Sequence, residues 1–270
     1  MEDPFLAYTP FKNCENLYIR HLHEIVGSFV FYQFIIFRWL APKANKLIFG
    51  RHYSSIKDEE TKLNFDIHAV SMVQSVVSLV LTWKILFLPF SLNVATYQDP
   101  FTSMVSSLTI GYFLWDLYVC LKYFSMFGIG FLGHACGSLY VFTISLRPFC
   151  QPWIGKFLIF EASTPFVNIN WYISQLSRTS SKPVVPTWFN MANGLLLMLV
   201  FFLVRIVWGF AAIVILCYQL WVWRAIIPNW LPFTLVPLNF GMDALNVFWL
   251  SKMVKIAKKM ANGGSKSKKF

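Results

Sequence analysis

Long apolar segments separated by short polar connections run along almost the whole chain. A helix needs about 20 predominantly apolar residues to cross the hydrocarbon core of a bilayer. The pattern therefore predicts an all-α, polytopic membrane protein with about seven transmembrane helices. The predicted segments are 25–41, 67–90, 103–124, 127–146, 152–174, 190–224 and 230–251.

The sixth segment is longer than one crossing requires. A helix over 190–224 would measure about 52 Å, whereas the hydrocarbon core is about 30 Å thick. The segment is therefore either one kinked or over-long helix or two spans. The distribution of charge favours a single helix, with a break near Arg205 or Gly209.

The composition supports a membrane location. Of the 270 residues, 57% are hydrophobic and only 13% are charged, whereas about 25% of the residues of a soluble domain are charged. So little charge cannot coat a water-facing surface of this size, which excludes a soluble enzyme. No polar linker divides the chain, so we predict a single membrane domain.

The net charge of +11 is concentrated in the connections and in the tail. Cytosolic connections of membrane proteins carry an excess of Lys and Arg. Seven spans with a luminal N-terminus place the basic 42–66 connection and the lysine-rich tail together in the cytosol. The chain then divides into a luminal N-terminus with the first helix and a cytosolic loop (1–59), a main membrane domain (60–255) and a basic cytosolic tail (256–270). We interpret the charge as attraction to anionic lipids and expect no nucleic-acid partner.

The tail also carries a candidate localisation signal. Lys266 and Lys268 are the fifth and third residues counted from the carboxyl end. This placement resembles the dilysine retrieval signal of endoplasmic-reticulum membrane proteins, which functions on a cytosolic tail. It predicts a multi-pass protein of the endoplasmic-reticulum membrane.

Two ionisable residues are predicted at matching depth on adjacent antiparallel helices. Asp116 lies about 12 Å and His134 about 10 Å from the cytosolic ends of their spans. A charge at the centre of a membrane helix costs about 2.5–3.5 kcal/mol on insertion scales, so such residues need a partner or a purpose. A carboxylate beside an imidazole suits general-base or nucleophilic chemistry, but it also makes a satisfied interhelical hydrogen bond.

Further polar side chains accompany this pair. Glu161 and Arg205 lie at depths that allow an ion pair, which we predict to hold helices together. The amides of Asn168 and Asn246 fall in the same cytosolic half as His134.

Common catalytic and metal-binding motifs are missing from the sequence. There is no GxSxG, P-loop or HExxH motif, and the five cysteines show no metal-ligand spacing. We therefore expect no metal and no permanently bound cofactor. Cys14 and Cys150 can face the same compartment, which leaves a disulfide open.

Five short motifs in order resemble those of the TLC-domain (TRAM–Lag–CLN homology) family. The resemblance covers roughly residues 60–255. It implies a six-helix membrane barrel with a central cavity that opens toward the cytosol, preceded here by one extra helix. The motifs are Gly111-Tyr112-Phe113-Leu114-Trp115-Asp116-Leu117, the isolated His134, the stretch from Glu161 to Trp171 (EASTPFVNINW), Phe202-Leu203-Val204-Arg205 and Leu245-Asn246-Val247-Phe248-Trp249.

The resemblance implies lipid chemistry but not ceramide synthesis. Ceramide synthases of the family carry two adjacent histidines where this chain has Gly133-His134. They also carry an HDxxD-like acidic stretch where this chain has Phe160-Glu161-Ala162-Ser163. These departures place the chain in the branch of the family outside the ceramide synthases.

An acyltransferase site at His134 follows from the resemblance, with acyl-CoA as a possible co-substrate. His134 is then the nucleophile or general base, and Asp116 orients it. Asn168 and Asn246 would donate hydrogen bonds to the thioester oxyanion. Ser163 and Trp171 are the remaining candidates for substrate binding.

Two other functions remain open at this point. The same polar residues would satisfy one another around a bound acyl chain in a non-catalytic lipid-binding or lipid-sensing protein. A trafficking receptor that uses its loops and tail is the third possibility. The expected partners are membrane lipids and a fatty acyl chain or acyl-CoA, and an oligomer is possible.

Overall fold

The structure is a computed structural model of the chain that describes residues 1–179 and 183–263. It is all-helical, and six of its helices are long and apolar enough to cross a membrane, as expected of a multi-pass membrane protein. The exception among the seven main helices is α5. These helices are α1 Leu22–Phe49, α2 Glu59–Thr82, α3 Pro100–Lys122, α4 Phe124–Ser145, α5 Thr164–Thr179, α6 Thr187–Val222 and α7 Trp230–Gly263.

Short helical elements fill several of the connections. The α-helical ones are Leu17–Arg20, Arg51–Ser54 and Ile154–Leu158. The 3₁₀ turns are Leu6–Tyr8, Gln151–Trp153 and Ile159–Ser163.

The helix starts follow local sequence signals. Asp99 caps α3, since its carboxylate accepts a hydrogen bond from the Thr102 backbone N–H at 2.9 Å, and Pro100 occupies the first turn. Asp58 caps α2 in the same way through the Thr61 N–H at 2.9 Å. A cap satisfies backbone donors that the helix itself leaves free. The Thr61 hydrogen bonds also lower the pKa of the Asp58 carboxyl.

The first transmembrane helix is longer than predicted. The apolar pattern ends at residue 41, with Pro42 as the expected stop, but α1 continues to Phe49. A π-helical stretch covers Phe31–Leu40, and the α-helical part restarts at Ala41. Pro42 therefore stands in the first turn after a change of hydrogen-bond pattern, where a proline is tolerated.

The sixth apolar segment forms one continuous helix, α6. A π-helical stretch over Phe202–Val207 contains Arg205, so the predicted irregularity near this residue is a widened turn rather than a break. Single π-helical turns relieve strain in long helices and are frequent at functional sites.

The fifth apolar segment is helical but interrupted. It passes through two 3₁₀ turns before α5 begins at Thr164. Its helical pieces Ile154–Leu158, Ile159–Ser163 and α5 each contact α2. Near its start, the Gln151 side-chain oxygen accepts from the Asp99 N–H at 3.0 Å, and near its end Tyr172 donates to the Phe65 carbonyl at 2.9 Å. We call these two ends of the molecule the Asp99 end and the Tyr53 end.

Six helices contact one another in a closed sequence. The order is α2, α3, α4, α7, α6 and α5, and α5 packs again on α2. The first helix lies against α2 and α3 and does not belong to this sequence. It covers α3, which is the most enclosed of the six candidate spans.

At the Tyr53 end, polar contacts join α1 to α2. The Asn45 amide and the Tyr53 hydroxyl donate to Asp66 at 2.8 Å and 2.9 Å. Burial raises the pKa of the Tyr53 hydroxyl, and the adjacent Asp66 carboxylate raises it further, so Tyr53 remains the donor. An aromatic cluster of Tyr53, Phe65 and Tyr172 closes this end.

Candidate functional site

Arg205 on α6 is the central residue of a polar cluster that also includes side chains from α7, from α5 and from the 3₁₀ turn before α5. Its Nε donates to the Ser163 hydroxyl at 3.0 Å, and its Nη1 lies 3.5 Å from the Asn246 side-chain oxygen. Its Nη2 lies 3.9 Å from Glu161 Oε1 and 3.5 Å from the Thr164 hydroxyl. The guanidinium thus reaches the start of α5 and the middle of α7 from α6. We call these residues the Arg205 cluster.

The 3₁₀ turn before α5 positions two members of this cluster. Glu161 and Ser163 belong to the turn Ile159–Ser163, and α5 starts at the next residue. Thr164 donates its hydroxyl hydrogen to Glu161 Oε2 at 2.7 Å. The turn therefore presents a carboxylate and two hydroxyls to Arg205 within four residues. The structure brings together Glu161 and Arg205, the residues expected from the sequence to pair.

His134 lines the same space, and no hydrogen bond of its side chain is found among the described residues. Its Nδ1 is buried and unpaired among the residues that the structure describes. Its ring meets the edges of Phe113 and Trp249, with centroids 6.2 Å and 5.7 Å away. His134, Glu161, Arg205 and Asn246 line one cavity of about 60 Å³, together with apolar side chains. An unsatisfied buried nitrogen costs free energy unless a ligand or water completes it.

Asp116 does not join His134 as the depth argument predicted. No hydrogen bond links the two side chains in the part of the chain that the structure describes, and the neighbour of His134 on α3 is Phe113. Three residues of helix correspond to about 4.5 Å of rise and most of a turn of rotation. In addition, α4 is kinked at Gly128, where φ is +70°. Depth along a helix fixes one coordinate, but side-chain pairing also depends on rotation about the axis.

Asn168 and Trp171 belong to a second polar group, which contains a histidine that sequence reasoning missed. His68 Nδ1 lies 2.7 Å from the Asn168 side-chain oxygen, and the Asn168 amide donates to the Ser71 hydroxyl at 3.2 Å. The His68 ring stacks on Trp171, with centroids 3.9 Å apart. His68 stands at the edge of an apolar segment, where it resembles a boundary residue. The available signal was Ser71, three residues later on the same helix face.

A larger apolar cavity lies away from the Arg205 cluster. It has a volume of about 610 Å³ and lies between α1, α2, α5 and the start of α6. Apolar side chains such as Leu40, Met72 and Ile173 dominate its walls. Ligand pockets of small molecules are typically about 300–1,000 Å³ and mostly apolar. This cavity can therefore hold the hydrocarbon part of a lipid.

Two other sequence-based expectations concern the tail and the cysteines. Lys266 and Lys268 lie outside the described residues. All five cysteines are free thiols, so Cys14 and Cys150 do not form a disulfide in this structure.

Comparison with known proteins agrees with the motifs. The TLC-domain family matches over residues 64–255. This chain is a TLC-domain protein. It is 51% identical over 268 residues to Topoisomerase I damage affected protein 4 of Saccharomyces cerevisiae, covering 99% of this chain and 95% of that protein.

More distant relatives extend the same similarity. A TLC domain-containing protein of Schizosaccharomyces pombe is 34% identical over 254 residues, covering 92% of this chain and 82% of that protein. TLC domain-containing protein 4-B of Danio rerio is 30% identical over 193 residues, covering 70% of each. Family membership connects this chain loosely with lipid-related membrane functions.

Proposed function

We propose that this TLC-domain protein acts in membrane lipid metabolism and binds an acylated lipid group at His134. The observation that carries the proposal is the unpaired, buried His134 nitrogen in a cavity shared with Arg205. Six helices, α2 to α7, would form a barrel around this cavity. Their closed sequence of contacts supports that arrangement.

The chemistry of the cavity suits the polar end of an acyl lipid. A guanidinium binds carbonyl, carboxylate or phosphate oxygens through fixed N–H donors. The imidazole beside it offers a base or nucleophile. A cavity of about 60 Å³ has room for a few water-sized groups, so it fits an ester or thioester but not an acyl chain. The acyl chain of the lipid would extend between helices.

Each side chain then has a proposed role in acyl transfer. His134 is the nucleophile or general base, and acyl-CoA is the proposed co-substrate. Asn246 and Ser163 hold Arg205 in place, so they support the oxyanion indirectly. Asp116 has a minor role, because it makes no hydrogen bond to His134 in the described chain. Asn168 and Trp171 contact His68, so we assign them to the positioning of His68 and not to contact with the substrate.

The decisive experiment separates a reactive His134 from a structural one. His134→Gln and the matched control His52→Gln, at an exposed histidine, are expressed in S. cerevisiae cells that lack the 51% identical relative. Lipid profiles are compared at equal protein abundance. We expect only His134→Gln to lose the effect on lipids while its thermal unfolding in detergent stays near that of the wild type. A stable His134→Gln protein that restores the lipid profile would exclude catalysis.

A non-catalytic lipid-binding function is the second candidate, and the 610 Å³ apolar cavity favours it. This cavity does not contain His134. Mass spectrometry of lipids that co-purify with the protein tests it, with Ala69→Trp as the variant that fills the cavity from α2. Lost lipid in Ala69→Trp together with an unchanged His134→Gln protein would favour binding over catalysis. The trafficking-receptor alternative has support only from the basic tail.

Seven membrane crossings are proposed, with the interrupted segment 151–179 as the fifth. Contacts from the Asp99 end to the Tyr53 end support this, because the segment covers the same depth as α2. The N-terminus is then luminal and the tail cytosolic, in agreement with the excess of basic residues. Engineered glycosylation sites at both ends test the arrangement. Modification at the tail but not at the N-terminus would contradict it.

Residence in the endoplasmic reticulum is part of the same proposal. It is supported by the dilysine-like placement of Lys266 and Lys268 in the sequence. Replacing both by serine is expected to release a folded protein from that compartment. Unchanged localisation by microscopy would reduce the tail to a charge cluster at the membrane surface.

A further inference from the structure

A second buried group of ionisable side chains lies outside the TLC domain, at the Asp99 end. His21 Nδ1 lies 3.0 Å from Glu24 Oε2 and 3.4 Å from Asp3 Oδ2. The ligand-type atoms of these three residues all lie within 4.8 Å of one another. Each of the three side chains is at most 1% exposed. We call these residues the Asp3 cluster.

Hydrogen bonds within the protein do not satisfy the Asp3 cluster. One Nδ1–H of His21 can serve only one of the two carboxylates, and the structure directs it to Glu24. Asp3 Oδ2 and Glu24 Oε1 are buried and have no hydrogen-bond partner among the described residues. The cluster therefore contains two carboxyl groups and only one imidazole. Buried charges are normally paired or bound to metals.

The spacing of the three atoms is compatible with a bound metal ion. Zinc binds His nitrogen and carboxylate oxygen at about 2.0–2.2 Å in tetrahedral geometry, so ligand atoms lie about 3.3 Å apart. The separations from His21 Nδ1 to the two carboxylates are 3.0 Å and 3.4 Å, on either side of that value. A divalent cation would also neutralise the two carboxylates.

We propose that Asp3, His21 and Glu24 bind a divalent transition-metal ion of the zinc class. No motif in the chain indicates such a site, because residue 3 lies far from residues 21 and 24 and no known ligand spacing connects them. The fold brings them together, since the first residues return to α3, where the Phe101 N–H donates to the Met1 carbonyl at 3.3 Å. The metal would tie this N-terminal segment to the start of α1.

A cavity next to Glu24 has room for a fourth ligand. His23 Nε2 lies 3.6 Å from Glu24 Oε1, and both residues line a cavity of about 420 Å³ between α1, α2 and α3. His23 or a water molecule would complete the tetrahedron. The Nδ1 of His23 is also buried and unpaired in the described chain.

Metal analysis of the full-length protein tests the proposal. The protein is purified in detergent without chelators and without a histidine tag, stripped with EDTA and reloaded with Zn²⁺. We expect one zinc per chain by elemental analysis and a higher unfolding temperature of the zinc-loaded form, because a ligand that binds only the native state stabilises it. Co²⁺ in place of Zn²⁺ should give the visible absorption of a tetrahedral site.

Ligand variants make the test specific. Glu24→Gln and Asp3→Asn keep the size of each side chain. The expected loss of zinc affinity is at least about tenfold, because replacing residues that only hydrogen-bond to metal ligands already has an effect of this size. His52→Asn, at an exposed histidine near the Tyr53 end, is the matched control and should bind normally. Absence of zinc from the wild type with no thermal shift would overturn the proposal. So would normal zinc binding by either folded ligand variant.

Discussion

The Arg205 cluster and the Asp3 cluster both contain ionisable side chains that are removed from water, but the two clusters differ in how far their own residues compensate the free-energy cost of that burial. In the Arg205 cluster, a cation faces a carboxylate at 3.9 Å, and hydroxyl and amide groups take up the remaining N–H donors. In the Asp3 cluster, two carboxylates share one imidazole, and two oxygen atoms are left over. A group with balanced charges needs nothing further for stability. An unbalanced one requires a proton or a metal from outside.

The comparison also separates two kinds of unsatisfied atom. The unpaired nitrogen of His134 lies beside a balanced group, so a neutral or anionic ligand suits the adjacent Arg205. The unpaired oxygens of Asp3 and Glu24 lie in an anionic group, so a cation suits them. The charge of the neighbouring side chains, and not the unpaired atom alone, indicates which class of ligand can bind.

The largest effect on stability is expected when the cation of the Arg205 cluster is removed. We expect Arg205→Met to lower the free energy of unfolding by about 2 kcal/mol, because it leaves the partly buried Glu161 without its charge partner and removes the hydrogen bond to Ser163. Glu161→Gln combined with Arg205→Met should lose less than the sum of the single changes. Denaturant titration in mixed micelles measures both.

The matched control for this change is Arg224→Met. Arg224 lies over the Trp221 ring and donates to the Trp221 carbonyl at 2.8 Å on the exposed surface. Its replacement should change stability by less than about 0.5 kcal/mol. Strictly additive losses at Glu161 and Arg205 would show that they are not energetically coupled.

The packing of α1 on α3 joins the helix that carries the Asp3 cluster to the TLC domain. A Cβ atom at Gly111 would overlap the Ile25 carbonyl oxygen and lie 2.9 Å from the Ser28 hydroxyl. We therefore expect Gly111→Ala to cost about 2 kcal/mol through overpacking. If the metal proposal holds, zinc affinity should fall as well, because α1 carries His23 and Glu24.

Gly194→Ala provides the contrast within a helix. In the described part of the chain, a Cβ placed there would meet no heavy atom within 4 Å apart from its chain neighbours and its own helix backbone, and the residue belongs to α6. Alanine should stabilise the protein by about 0.5 kcal/mol, because glycine loses more backbone entropy in a helix. Equal effects of the two substitutions would argue against the close approach of α1 and α3.

The smallest expected effect concerns the hydrogen bonds of Asn168. Interhelical hydrogen bonds in membrane proteins contribute about 0.6 kcal/mol on average and up to about 1.7 kcal/mol. Asn168→Leu removes the bonds to His68 and Ser71, so a loss of about 1 kcal/mol is expected. Asn170→Leu is the control, since no side-chain hydrogen bond of Asn170 is found in the described chain. A larger loss at Asn170 would contradict this assignment.

The positions of the membrane helices could largely be predicted from the sequence. Apolar length is a direct consequence of bilayer thickness, and it located α3, α4 and α6 to within about three residues at each end. It placed α2 at 67–90, whereas that helix covers Glu59–Thr82 because its first turns are polar. Prediction was poorer where hydrogen-bond geometry changes without a change of hydropathy. The π-helical stretch before Pro42 and the 3₁₀ turn at Ile159–Ser163 are examples.

The site was only partly predictable for a related reason. Glu161 and Arg205 are opposite charges, and few positions in a membrane allow either of them to be buried alone. Asp116 and His134 share a depth, but rotation about the helix axes separates them. The Asp3 cluster depends on a tertiary contact of the N-terminal segment, which no local pattern encodes.

The interrupted fifth segment has a consequence for biosynthesis. Its Lys156 is buried, and the ammonium donates to the Leu88 carbonyl at 2.6 Å and to the Pro152 carbonyl at 3.1 Å. Lysine is among the least favourable residues for membrane insertion, and Lys156 depends on a carbonyl of a neighbouring connection, so the isolated segment is a poor candidate for autonomous insertion by the translocon. The connection that supplies Leu88 is synthesised earlier. The nascent chain should therefore hold this segment at the translocon until the preceding helices can receive it.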